Sequence, residues 1–279
     1  MWRAVLAVRG TPSDHDAVAA VDVVDVTAPH VLAVALEDAA APVVVAGHPI
    51  DATAARTACS LLVAHRPDVP VTLWLTAHTT GATLAALRLA RAATDDAGHG
   101  MRILADTLNR TWSAVVLDSV ARLEHPNPTL GQHLRSWLPG TRFVVRQGPR
   151  PRAVAASAVT SLLEGVPRAE HDLLVDAGAT DDPVTRAVVT AVAPERTLPL
   201  GIPVTDTARR YGRRERFELS LLPRPGIWSV PGPATRCPGC GLSVPGQVCV
   251  FCRTTGDVPG PPPGDVVSAG PVLTAGVGR

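Results

Sequence analysis

Cys237-Pro238-Gly239-Cys240 and Cys249-Val250-Phe251-Cys252 form two C-x-x-C pairs with eight residues between them. Each pair can wrap one turn of backbone around an ion, and two pairs complete a tetrahedral four-thiolate shell. Zn2+ suits four thiolates, no redox role and a short hairpin. Gly239 and Gly241 let the backbone bend close to the sulfurs, and Pro245-Gly246 marks the hairpin tip. A closed shell leaves no open coordination position, so such an ion staples and does not catalyse. Two disulfides would use the same residues in an oxidising compartment. A redox-active C-x-x-C would open a helix, whereas these pairs sit among Pro and Gly. The reading is a small structural zinc ribbon.

A second group of residues has chemistry only if the fold gathers it. Thr79, Thr80, Gly81 and Thr83 follow an apolar run and open a helical pattern, which is phosphate-binding geometry when backbone N–H groups and hydroxyls face a helix N-terminus. The simpler reading of the same run is a helix cap by Thr79 or Thr80. Thr79-Thr80-Gly81-Ala82-Thr83 resembles the phosphate loop of type I phosphoribosyltransferases, in which two acidic residues precede a similar run; Leu75 and Thr76 stand in those places here. Ala114 to Val120, an apolar run ending in Asp118, resembles the Walker-B strand of RecA-like ATPases, with no Walker-A loop ahead of it. His48, His78, Asp118 and Asp176 each follow a strand pattern and would form an acid/base cluster if those strands are neighbours. Arg209, Arg210, Arg213 and Arg214 form a basic segment able to grip phosphates, or to pair with Glu215 and Glu218 in a solvated stretch.

Composition removes several classes. The 279 residues contain no lysine, which excludes Schiff-base and pyridoxal phosphate chemistry and an ordinary P-loop or kinase lysine. G-x-S-x-G, H-E-x-x-H and G-x-G-x-x-G are all absent. A net charge of +1 and 3% aromatics announce neither a membrane surface nor stacked bases. The N-terminus lacks an apolar signal core and no run reaches membrane-spanning length, so a cytoplasmic protein is expected.

The elements that must position these residues alternate. Apolar strand patterns at 43–47, 71–75, 101–105, 114–117, 142–146 and 173–175 are interleaved with helical patterns at 51–64, 79–93, 128–138, 153–164 and 183–192. Such alternation predicts an α/β fold: a three-layer core over residues 1–200, with a mostly parallel sheet and helices on both faces. Residues 201–233 form an Arg-rich connector with an alternating strand at Phe217 to Leu221. The ribbon occupies 234–254, and the Pro/Gly-rich tail 255–279 is expected to be disordered. Cys59 lies within a helix pattern as a small hydrophobe.

These features predict a non-catalytic protein whose ribbon docks a macromolecular partner, a protein assembly ahead of nucleic acid. The competing expectation is an enzyme for a phosphorylated or nucleotide ligand at the strand ends. Purified protein should carry about one zinc per chain by elemental analysis, and Cys237→Ser should lose it.

Overall fold

The computed structural model describes residues 2–8, 21–25, 30, 34, 41–200, 208–212, 216–224, 235–244, 249 and 251. Within them the strands divide between two large sheets, not the single sheet expected. The first holds β1 (Arg3–Val8), β2 (Val21–Asp25), β3 (Val43–Gly47) and β4 (Val71–Leu75), all parallel, in the order β2-β1-β3-β4. β3 is buried throughout and β1 almost so, as unbroken Val, Leu and Ala runs require of strands covered on both faces. Helix α1 (Ala52–His65) covers one face with Ala55, Ala58 and Leu62. Helices α2 (Thr80–Ala93) and α3 (Ala97–Arg110) cover the other with Leu84, Leu87, Met101 and Leu104. This half is the three-layer α/β unit that the alternation predicts.

The second sheet corrects the rest. It contains β5 (Trp112–Leu117), β6 (Phe143–Gln147), β7 (Arg152–Ala155), β8 (His171–Val175), β9 (Thr197–Pro199) and β10 (Phe217–Pro223), in the order β7-β6-β5-β10-β8-β9. Among the described residues β8–β9 is its one parallel pair, and the other four pairings are antiparallel. An apolar strand looks the same in sequence whichever way its neighbour runs, so composition alone did not reveal the change of direction. β10, read as part of a connector, lies in mid-sheet between β5 and β8, and all seven of its residues are buried. The residues beyond 200 therefore complete this sheet.

Two elements differ in kind from expectation. Met101 to Ala105 is inside α3, because Met101, Leu104 and Leu108 recur at helical spacing and bury one face. The stretch from Ala153 begins in β7 and continues as a 3-10 segment, Ala156–Leu162. A short α4 (Leu130–Arg135) carries a Thr129/Gln132 capping box. Helix α5 (Pro183–Val192) starts on an Asp182 cap with Pro183 at its first position, and packs Val184, Val188 and Val192 on the second sheet. A one-turn α6 (Ala208–Tyr211) precedes β10. Helices α2 and α3 touch both β-sheets, packing on the first and on β10.

The cysteine-rich segment contributes a two-stranded piece, β11 (Thr235–Arg236) with β12 (Ser243–Val244). It leans on the N-terminus of α3. Asp96 caps that helix by accepting the His99 N–H at 2.9 Å, and the Ser243 hydroxyl donates to its other oxygen at 2.7 Å. Burial opposes ionisation of Asp96, but the hydrogen bonds from His99 and Ser243 hold its carboxyl below the usual range. Gly98 is obligatory at this contact: a Cβ there would sit 1.8 Å from the Ser243 carbonyl oxygen. Phe251 packs into the apolar cluster of the first sheet. The tail at 255–279 lies outside the described residues. Gly98→Ala should therefore lift the ribbon from α3. Cys237 and Cys249, now buried, should react faster with a thiol reagent while the far-UV spectrum is unchanged.

Candidate functional site

The parallel strands β1, β3 and β4 deliver their carboxyl ends to one edge, where open α/β sheets place their ligands. After β3, His48 caps a 3-10 turn, Pro49–Asp51, its Nδ1 accepting the Ile50 N–H at 3.3 Å. After β4, the chain Thr76-Ala77-His78-Thr79 runs directly into α2. Thr79 is the N-cap, its hydroxyl oxygen accepting the Ala82 N–H at 3.3 Å. The Thr83 hydroxyl donates back to the Thr79 carbonyl at 2.9 Å.

This loop is covered by the second sheet. His78 Nδ1 meets the Ser113 hydroxyl of β5 at 3.0 Å. The Thr79 hydroxyl meets the Ser220 hydroxyl of β10 at 3.3 Å. The Gly81 N–H donates to the Glu218 carboxylate of β10 at 2.9 Å, and the Glu218 N–H donates to Asp176 at the end of β8, at 3.3 Å. Thr79, Ser113, Ser220 and Glu218 are each no more than 1% exposed. The halves are thus joined here by a buried polar seam. Two glycines permit the closeness. A Cβ on Gly81 would lie 2.5 Å from the Leu200 side chain, and one on Gly148, at φ +97, would lie 2.7 Å from the His78 ring.

Beside the seam is a small cavity of about 10 Å3, room for roughly one water molecule. Leu6, Ala7 and Val8 form its apolar wall; His48, Thr76, His78, Thr80, Thr83 and Arg210 form its polar one. Arg210 is buried, donating to the Thr80 hydroxyl at 2.8 Å with Asp51 at 3.6 Å. Burial, reinforced by the Arg210 charge, lowers the pKa of His48 to about 3. Burial lowers His78 to about 4, against a hydrogen bond to the Leu108 carbonyl. Both imidazoles are therefore neutral at pH 7. Asp176 is pushed up by burial.

The expected site residues separate accordingly. Thr79, Thr80, Gly81, Thr83 and His78 do come together, with Asp176 at the margin of the seam. Asp118 does not: it lies on the surface in an ion pair with Arg216 at 2.9 Å. The loop is no open phosphate cradle, because Glu218 holds the Gly81 N–H. Arg210 faces inward and is not part of a polyanion surface; the Arg209 side chain, Arg213 and Arg214 lie outside the described residues. Glu218, expected in a solvated stretch, is instead buried against Gly81, and Ser220, Ser113 and Asp51 were missed. The one sequence signal was the alternation Phe217-Glu218-Leu219-Ser220-Leu221, which sets Glu218 and Ser220 on one strand face.

In the ribbon, Cys237, Cys240 and Cys249 bring their sulfurs within 4.8 Å of one another, close enough to hold one metal ion. Cys240 and Cys249 are 3.6 Å apart, too far for a disulfide. The spacing suits neighbouring ligands of a tetrahedral ion, which stand about 3.8 Å apart. The Gly239 N–H points at the Cys237 sulfur at 3.3 Å, and Gly241 turns the knuckle at φ +72. Cys252 lies outside the described residues. Cys59 is as expected: it packs beneath the first sheet, and burial pushes its thiol up to about 11.

No family model matches the sequence, and no curated protein does. Solved structures share the fold. A DegV family protein from Eubacterium eligens, solved loaded with heptadecanoic acid, superposes with a TM-score of 0.56 at 10% identity, over 80% of this chain and 100% of that one. A DegV family protein from Corynebacterium glutamicum gives 0.55 at 16% identity, over 79% and 96%. The fatty acid kinase B3 protein of Streptococcus pneumoniae, loaded with linoleic acid, gives 0.53 at 11% identity, over 80% and 99%. The mixed α/β fold is that of these proteins.

This corrects the expected function. Two of these proteins were solved loaded with fatty acids, and neither is described as docking a macromolecule through a ribbon. In the competing expectation of a phosphate-ligand enzyme, the Gly81 N–H of the cradle is the group that Glu218 occupies. Among the described residues no helix is long and apolar enough to cross a membrane.

The two histidines make acid stability a test of the site. Their folded pKa values lie below the unfolded one, so the unfolded chain binds more protons between about pH 4 and 6.5. Stability should be complete above about pH 7 and fall as pH drops through that window, by about 2 kcal/mol per histidine at pH 5. Denaturant unfolding of wild type and His78→Asn across this range should show the shallower acid slope in the variant.

Proposed function

We propose that this chain binds a single-chain lipid, with the head group received in the cavity at the carboxyl ends of β1, β3 and β4. The observation that carries the reading is the wall of that cavity. It sets a buried arginine and three threonine hydroxyls opposite Leu6, Ala7 and Val8. Ligand sites of small molecules have this composition: apolar lining with a few convergent polar groups. The likeness in fold to proteins solved with fatty acids supports the same reading. At about 10 Å3 the cavity admits only a head group's outermost atoms, so the acyl tail enters by parting the polar seam. The role we read from this is carriage. Solvent extraction and mass spectrometry of the purified protein should release about one lipid per chain. Arg210→Leu should weaken binding of a fluorescent acyl probe about tenfold or more, the worth of one charge-assisted hydrogen bond. A delipidated wild type that binds no acyl ligand would overturn the proposal.

We further propose that the ribbon holds structural Zn2+, with Cys252 as the fourth thiolate. The three sulfurs already clustered, the Gly239 N–H to sulfur contact and the docking on α3 support it. Metal removal by a chelator should expose α3 to hydrogen exchange at its N-terminal turn before the second sheet responds.

A further inference from the structure

We infer, resting on the lipid reading above, that Glu218 and Asp51 make this site select an uncharged hydroxyl head group over a carboxylate. Two positive features are available to a head group here, and the chain's own carboxylates already satisfy both. The first is the N-terminus of α2. Its Gly81 N–H goes to Glu218 at 2.9 Å, its Ala82 N–H to the Thr79 cap at 3.3 Å, and the Thr79 N–H reaches the Ser113 hydroxyl at 3.5 Å. The second is Arg210, which spends one nitrogen on Thr80 and faces Asp51 with another; both charged side chains are at most 5% exposed. None of Glu218, Asp51 and Arg146 lines the cavity: the two carboxylates act on it through Gly81 and Arg210, and Arg146 acts electrostatically on His78.

The remaining groups add no positive charge. Burial keeps His48 and His78 neutral, and Asp176 brings a third carboxyl to the seam. A ligand carboxylate at Thr80 would stand one residue from the Gly81–Glu218 contact, with no unspent cation lining the cavity. Two carboxylates held close in a buried site do not both stay ionised without cost. A hydroxyl meets no such penalty. Its oxygen can accept from Arg210 or a threonine, and its proton can go to the oxygen of another threonine hydroxyl. Two of the structurally similar proteins named above were solved with fatty acids; the internal carboxylates set this chain against such ligands.

The test is calorimetric binding of dodecanol and dodecanoate to delipidated full-length protein at about pH 8, where the free acid is ionised. Wild type should bind dodecanol at least about tenfold more tightly than dodecanoate. Glu218→Gln should tighten dodecanoate binding about tenfold and leave dodecanol within about threefold. Asp51→Asn, which frees the Arg210 charge without touching β10, should shift the ratio the same way, so a folding defect in one variant leaves the other to decide. A wild type that prefers dodecanoate, or variants that both keep the wild-type ratio, would overturn this inference alone. Failure of every protein to bind either ligand would overturn the lipid reading and this inference with it.

Discussion

A backbone N–H of one half of the molecule donates to a fully buried carboxylate of the other: Gly81 at the start of α2 to Glu218 in mid-β10. A buried carboxylate is tolerated only where donors meet it, and a helix N-terminus offers both N–H groups and a favourable dipole. That one requirement fixes much else. It sets β10 against α2 in a single register, so Ser220, two residues on, reaches the Thr79 hydroxyl. It demands glycine at 81, where Leu200 leaves no room for a side chain. It places Asp176 against the Glu218 N–H. The halves are consequently joined at the strand ends by directional bonds, which hold one geometry and release as a group when water or a ligand competes for them.

Helix α2 is where fold and site meet. Its apolar face, with Leu84 and Leu87, belongs to the core of the first sheet, while its first turn belongs to the seam. A head group beside Thr80 and Thr83 therefore touches an element anchored in the core, which is how a rigid receptor is built from short side chains. The same helix contacts β10, so the seam can part only if the second sheet moves relative to α2. The cavity's small size and the polar character of the seam are two aspects of one tightly packed arrangement.

The cysteine-rich segment is tied into this framework through its described residues. Its Ser243 shares the Asp96 cap of α3, and its Phe251 enters the apolar cluster that α2 and α3 make with β1. The far end of α3 supplies the Leu108 carbonyl that acts on His78. One helix thus runs from the cysteine cluster to the seam.

Local chemistry was legible from the residues alone. The spacing of Cys237, Cys240 and Cys249, the Asp182-Pro183 helix start and the parallel first sheet all follow from interactions within a few residues or from unbroken apolar runs. Thr79 to Thr83 was recognisable as the opening of a helix for the same reason. Tertiary structure decided what that opening faces. Glu218 lies 137 residues from Gly81, and its strand pattern fits a solvent-facing edge as well as the centre of a sheet. Strand direction in the second sheet, the burial of Arg210 and the remoteness of Asp118 were equally unreadable. Each depends on which elements become neighbours, and hydrophobic pattern records how deeply a residue is buried but not what it is buried against.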